Sequence, residues 1–359
     1  MLTEKLNRLC TERDLPYLDL RVYQGYTPVY QYLRGDDGCA FLQIYSMSKI
    51  VTVVSAMMLV EQGRLSLADP VDKFLPEFAH TIYCLDGEVL ANPNRMTVWN
   101  LLTMTSGLSY DVDTEQIHAV TKELGQGALL RDYAKAFAKT PLSFPSGAAF
   151  QYSLSHDLLA AVVEVVSGMS FAEFAEKFVF EPLEMESSTF YNTEEGIFPM
   201  LVCDDDCNVT PAPFHNYLLL SDAYISGGAG MNTRLCDYAK LIKALANGGA
   251  AENGVRILRE ETVNAIREPL LSHDFVKADF NWQGDDYGYG LGVRVREVDT
   301  DWGLRRGKFG WDGAAGSFWL VDPERKVSIV MGMNTLSWEK KYLGIHMEIT
   351  EMIYRELFN

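Results

Sequence analysis

Apolar positions follow a helical period over residues 2–14, then alternate through LDLRVYQG at 18–25 and VYQYLRG at 29–35, with a turn near Tyr26–Pro28. The run IVTVVSAMMLVEQ, Ile50 to Gln62, is apolar nearly all round, which predicts a helix buried on several sides and stopped by Gly63. From about 65 to 230 the pattern is helix and loop. It includes VWNLLTMTSGL at 98–108, a stretch at 130–139, SHDLLAAVVEVVSG at 155–168 and FAEFAEKFVFEPL at 171–183, each ending near Gly or Pro. A further helix is expected over 233–247, closed by Gly248-Gly249. Strand patterns return in YGLGVRVREV at 289–298, LRRGKFGW at 304–311, SFWLVD at 317–322 and KVSIVMGMN at 326–334, the last two joined by a turn at Asp322-Pro323-Glu324-Arg325. An amphipathic helix over Trp338–Phe358 ends the chain.

Strands and helices at both ends, with helices between, predict an α+β fold: one antiparallel sheet flanked by helices, with an inserted mostly helical lobe. Residues 1–64 and 230–359 are expected to build the sheet domain and 65–229 the lobe, with the active-site cleft between them. No repeat period or low-complexity segment is apparent.

The 359 residues are 48% hydrophobic and 22% charged, enough apolar matter for a core and too little charge for disorder. Lys plus Arg number 31 against 49 Asp plus Glu, a formal charge of -18 that disfavours nucleic acid and anionic membrane surfaces as partners. No apolar stretch reaches the ~20 residues of a membrane span. The opening MLTEKLNRLCTERD lacks the apolar core of a secretory leader, so a cytoplasmic location is expected. The six cysteines, at 10, 39, 84, 203, 207 and 236, are too sparse for a disulfide scaffold. Cys203 and Cys207 frame Asp204-Asp205-Asp206 without a second Cys or His pair, which suits a solvated loop better than a zinc site.

Ser46-Met47-Ser48-Lys49 is an S-x-x-K element at the start of the buried helix. Residues three apart on a helix share a face, so the Lys49 amine can reach the Ser46 hydroxyl. Burial disfavours the ammonium form and makes the amine a usable base, and the helix amino terminus favours negative charge developing on the Ser46 oxygen. The alternative is plainer: Ser46 caps the helix and Lys49 snorkels to solvent. Ser337-Trp338-Glu339-Lys340 fits the same pattern, but there the lysines are expected on a wet helix face.

Two further segments add weight. Gln151-Tyr152-Ser153-Leu154 sets a tyrosine just before a helix, and Phe309-Gly310-Trp311-Asp312-Gly313-Ala314-Ala315-Gly316 lies between two late strands. In this order the motifs resemble the serine β-lactamase and penicillin-binding-protein superfamily, in its class C-type group and nearest the carboxylesterase branch. LVEQGRLSLADPVDKFLPEF at 59–78, LLTMTSGL at 101–108 (Met104 replacing the usual His), FEPLEMESSTF at 180–190 and SGGAGMNTRLCDYAKL at 226–241 extend the resemblance over most of the chain.

The resemblance implies that Ser46 is an acyl-accepting nucleophile and that Lys49 and Tyr152 share proton transfer. It implies an oxyanion hole made by the backbone N–H groups of Ser46 and Ala314, with Gln151, Leu154, Trp311, Asp312 and Gly313 in the substrate site. It implies no cofactor and no metal. Leu154 stands where the family's Y-x-N element has an amide, and Trp311-Asp312-Gly313 replaces K-T-G or H-T-G, so a cation is exchanged for an indole beside an acid. Tyr-Ser-Leu and Trp-x-Gly resemble the carboxylesterase branch, and a neutral or cationic small-molecule acyl ester is the expected substrate. Transfer to an alcohol, D-amino-acid peptidase or weak β-lactamase activity, and a silent scaffold are the alternatives.

The rival Ser-His-Asp chemistry lacks a G-x-S-x-G elbow among histidines 80, 118, 156, 215, 273 and 346. His156 is expected on a polar helix face, Asp222 at the cleft or capping a turn, and Arg305, Arg306 and Lys308 facing solvent. Trp282, Tyr287 and Tyr289 are read either as a substrate wall or as ordinary strand packing.

Overall fold

The computed structural model describes residues 1–193, 195–212, 216–280 and 286–358. Trp282 and His215 lie outside the described residues.

The centre is a seven-stranded antiparallel sheet to which both ends of the chain contribute. Its strands are β1 (Leu18–Gln24), β2 (Thr27–Arg34), β3 (Tyr287–Tyr289), β4 (Arg294–Arg296), β5 (Phe309–Asp312), β6 (Phe318–Asp322) and β7 (Val327–Gly332), in the order β3-β4-β5-β6-β7-β1-β2. Early and late segments meet where β1 pairs with β7, with Leu20 opposite Met331 and Val22 opposite Ile329. The pleat sends alternate side chains to opposite faces. Leu18, Leu20, Val22, Phe318, Leu320, Ile329 and Met331 join a core with helix α1 (Leu2–Glu12) and the late helix Ile345–Ile353. Trp319, Val321 and Val330 face the other way, into the larger core.

That larger core holds α2 (Lys49–Glu61), α3 (Ser155–Ser167) and α4 (Leu235–Ala246). Every residue of α2 from Lys49 to Leu59 is buried, as its all-round apolar pattern requires. The helix packs against α3, whose first nine residues, Ser155 to Val163, are buried as well.

Some elements differ from expectation. Residues 289–298 are not one strand: a turn at 290–293, closed by the Gly290 N–H on the Val293 carbonyl at 2.8 Å, makes β3 and β4 a hairpin. The strand expected over 304–311 begins only at Phe309. Lys308 does not face solvent. It is 1% exposed and pairs with Asp322 at 3.1 Å and Glu324 at 2.9 Å. The final helix breaks at Gly344 into Glu339–Tyr342 and Ile345–Ile353. Among the described residues no single helix is long and apolar enough to cross a membrane.

Candidate active site

Ser46 sits in a tight helical turn, Tyr45–Ser48, that runs straight into α2. Tyr45 adopts φ +47°, a left-handed conformation unfavourable to a bulky residue, and is held there by burial. Three contacts fix the turn and the start of α2 from outside: the Tyr238 hydroxyl donates to the Met47 carbonyl at 2.9 Å, the Met231 N–H to Ser48 Oγ at 3.0 Å, and Thr52 Oγ1 to the Gly227 carbonyl at 2.6 Å. The glycine-rich stretch thus straps the amino terminus of α2. Its glycines are a steric necessity, because a Cβ on Gly227 would lie 2.6 Å from Ala160 Cβ and 2.8 Å from the His156 carbonyl oxygen.

Lys49 is fully buried and does not snorkel. Its Nζ donates to Ser46 Oγ at 3.2 Å, to Tyr110 Oη at 2.8 Å and to the Gly228 carbonyl at 2.8 Å. Burial pulls the amine down to about 7, against the opposing pull of Asp157. A substantial fraction is therefore neutral near pH 7 and able to accept a proton.

Tyr152 lies across the same hydroxyl. Burial raises its phenol well above the ordinary value, while hydrogen bonds from Ser46 and Trp311 pull the other way. Its ring centroid is 4.6 Å from Lys49 Nζ, and its oxygen accepts the Trp311 indole N–H at 2.9 Å. The Asp279 carboxylate accepts its backbone N–H at 2.5 Å.

Ser46, Tyr152, Trp311, Asp312, Gly313 and Ala314 line one cavity of about 320 Å³, together with Trp338 and Glu339. A Cβ on Gly313 would lie 2.4 Å from the Ile44 carbonyl oxygen, so only glycine lets the end of β5 close on the turn bearing Ser46. That approach brings Ala314 to the wall beside Ser46.

Other expected site residues fall elsewhere. Leu154 is 3% exposed, belongs to the hydrophobic core and does not line this cavity. Gln151 is outside the lining too; its N–H is bonded to the Met104 carbonyl at 2.9 Å. Asp312 is not an uncompensated acid, for Arg294 donates to it at 2.8 Å with both side chains buried. Tyr289 packs edge-on against Trp311 at 5.5 Å, behind the cavity, and Tyr287 lies under the Arg294 and Arg296 guanidinium groups. His156 is not on a polar face: α3 has no wet side there, and burial and then the Lys49 charge hold the imidazole well below its ordinary value. Asp222 is exposed, its N–H on Gln126 Oε1.

Sequence reasoning missed Tyr110, Trp338 and Glu339. Tyr110 closes the segment begun by LLTMTSGL, and Trp338 and Glu339 sit inside the second S-x-x-K match. There Lys340 is bound to Asp205 at 2.6 Å. Desolvation and the Asp312 carboxylate raise the Glu339 carboxyl above its ordinary value.

Across whole chains the fold is that of β-lactamase and transpeptidase-like proteins. LovD, the simvastatin synthase of Aspergillus terreus, superposes with a TM-score of 0.81 at 18% identity, covering 100% of this chain and 98% of its own. EstCE1, described as a hydrolase with promiscuous acyltransferase activity, gives a TM-score of 0.79 at 23% identity, covering 98% and 97%. Residues 41–350 match the Beta-lactamase family model, and the chain belongs to that family. Esterase EstB of Burkholderia gladioli is 30% identical over 318 residues, which is 82% of this chain and 77% of EstB. The protein is a serine hydrolase.

Proposed function

We propose that the protein is a carboxylesterase that works through an acyl-enzyme on Ser46, in a cleft between the helical lobe, 65–229, and the sheet domain of 1–64 and 230–359. One observation carries this: a fully buried lysine, whose ammonium form burial disfavours, lies 3.2 Å from the Ser46 hydroxyl, which faces a cavity. Ser46 Oγ attacks the acyl carbon while its proton passes to the Lys49–Tyr152 pair, assigned jointly. The carbonyl oxygen takes the negative charge and is met by the N–H groups of Ser46 and Ala314. The alcohol leaves with a proton returned by the same pair, and water then enters by the reverse path to release the acid.

A neutral ester suits the site. Trp311 and Trp338 supply apolar wall, and Glu339 joins the lining. The likeness to Esterase EstB supports an ester as the substrate. Transfer to an alcohol uses the same acyl-enzyme, and the likeness to EstCE1 and LovD keeps it as the second reading.

The test pairs a chromogenic short-chain ester with a serine-directed phosphonate. Wild type should turn over the ester and carry the phosphonate on residue 46, and Ser46→Ala should do neither. Equal turnover in both proteins, with no adduct at residue 46, would overturn the proposal. Added alcohols that yield transesterified product would favour the transferase.

A further inference from the structure

Asp157 is a buried carboxylate that the proposed reaction does not use. It lies in the first turn of α3, 1% exposed. Its Oδ1 accepts the Ser226 hydroxyl at 2.6 Å and the Tyr224 hydroxyl at 3.1 Å. Both donors are neutral. The cation coupled to it is Lys49: a Cβ built on Gly228 would lie 2.5 Å from Asp157 Oδ2 and 3.4 Å from Lys49 Nζ, so the two groups are no more than about 6 Å apart, within range of strong charge coupling. Gly228 sits between them, giving its carbonyl to the lysine. Ser226, two residues earlier, gives its hydroxyl to the carboxylate and accepts the Ala229 N–H at 2.9 Å.

We propose that Asp157 is a positioning residue for Lys49: its carboxylate holds the 226–229 strap that receives the amine, and its charge sets how readily Lys49 gives up its proton. Among the described residues no cation touches Asp157 directly; a carboxylate so buried is costly to fold, and its place here is explained if it serves the group across Gly228. This rests on the reading of Lys49 as a base for Ser46.

The groups facing Lys49 bear on the sign. Ser46 and Tyr110 bond the amine, Tyr152 presents its ring, and His156 and Asp157 face it from α3. Burial keeps the phenols and the imidazole uncharged at neutral pH; it also raises the Asp157 carboxyl above its ordinary value, opposed by the Ser226 hydrogen bond and the Lys49 charge, and the ionised carboxylate is the anion of the set. Its field favours the ammonium. Removing it must lower the lysine pKa and extend reactivity to lower pH.

The experiment follows the pH dependence of phosphonate labelling at residue 46, with folding checked by thermal melting. Wild type should lose labelling as pH falls through about 7. In Asp157→Asn that limb should move down by about one pH unit, with a lower plateau from the loosened strap. Ser226→Ala keeps the carboxylate but removes a hydrogen bond that favours its charged form, so the limb should move the same way by less. If Asp157→Asn does not fold, Ser226→Ala decides alone. An unmoved limb in the folded variants overturns the role of Asp157 and leaves the esterase reading standing. Failure of wild type to label at residue 46 at any pH sinks that reading, and this one with it.

Discussion

Trp311 donates its indole N–H to the Tyr152 phenol oxygen at 2.9 Å, tying the end of β5 to the loop that enters α3. The third motif thus does more than wall the cavity: it aims the phenol. Tyr152→Phe removes the proton-carrying oxygen and should lower ester turnover about 10²–10⁴-fold, the usual size of general acid–base help. Trp311→Phe keeps a ring but loses the donor, and about a tenfold loss is expected, the scale of one hydrogen bond. Steady-state kinetics on one chromogenic ester compare the two. Unchanged turnover in Tyr152→Phe would remove the phenol from the reaction.

Lys49 predicts the pH profile. Only the neutral amine accepts a proton, so kcat/KM should rise with pH through about 7 and level off above it. Lys49→Arg, charged throughout this range, should abolish the rise along with most activity. Tyr110→Phe removes the hydroxyl 2.8 Å from the amine and should shift or weaken the limb without removing the base. A flat profile between pH 5 and 9 would contradict the assignment of Lys49.

The buried Arg294–Asp312 pair changes the charge argument drawn from the third motif. Read from the sequence, Asp312 looks like a bare acid set against anionic substrates; its charge is in fact answered from β4. Breaking one partner of a buried pair typically costs about 3–5 kcal/mol, so Arg294→Met should be strongly destabilised in denaturant titration. Asp312→Asn removes one negative charge from the cavity wall and should raise the rate on nitrocefin relative to a neutral ester. An unchanged ratio would show that this locus does not govern charge preference.

Much of this was legible in the sequence because it is local. The all-round apolar pattern of 50–62 marks a buried helix, and the three-residue spacing of Ser46 and Lys49 places the amine by the hydroxyl. Strand patterns mark β1, β2, β6 and β7; the side chains of β1, β6 and β7 divide between two cores, and β2 adds Tyr32 to the smaller one. What was illegible is long-range. Tyr110 reaches Lys49 across 61 positions and Arg294 reaches Asp312 across 18, and nothing in either local pattern reports the partner. Lys308 looked solvent-facing because its two acids, Asp322 and Glu324, come from the strand and turn beyond. Nothing local marks Trp338 and Glu339, since the second S-x-x-K match places only its lysines on a wet helix face; the short segment before the break at Gly344 brings both to the cavity lining.

Leu154 gives the sharpest separation between family pattern and this chain's packing. The corresponding amide in the family's Y-x-N element is associated with substrate amide binding, which invites Leu154→Asn as a route to lactam activity. Here the position is 3% exposed at the start of α3, inside the hydrophobic core and away from the cavity lining. An asparagine would forfeit most of the leucine's burial and carry a polar group into apolar surroundings. The two effects together predict a loss of roughly 3–5 kcal/mol. Denaturant midpoints should fall accordingly, and nitrocefin turnover should stay at the wild-type level. A variant as stable as wild type that gains lactam hydrolysis would mean that the side chain at 154 reaches substrate after all, and that the cavity extends toward α3.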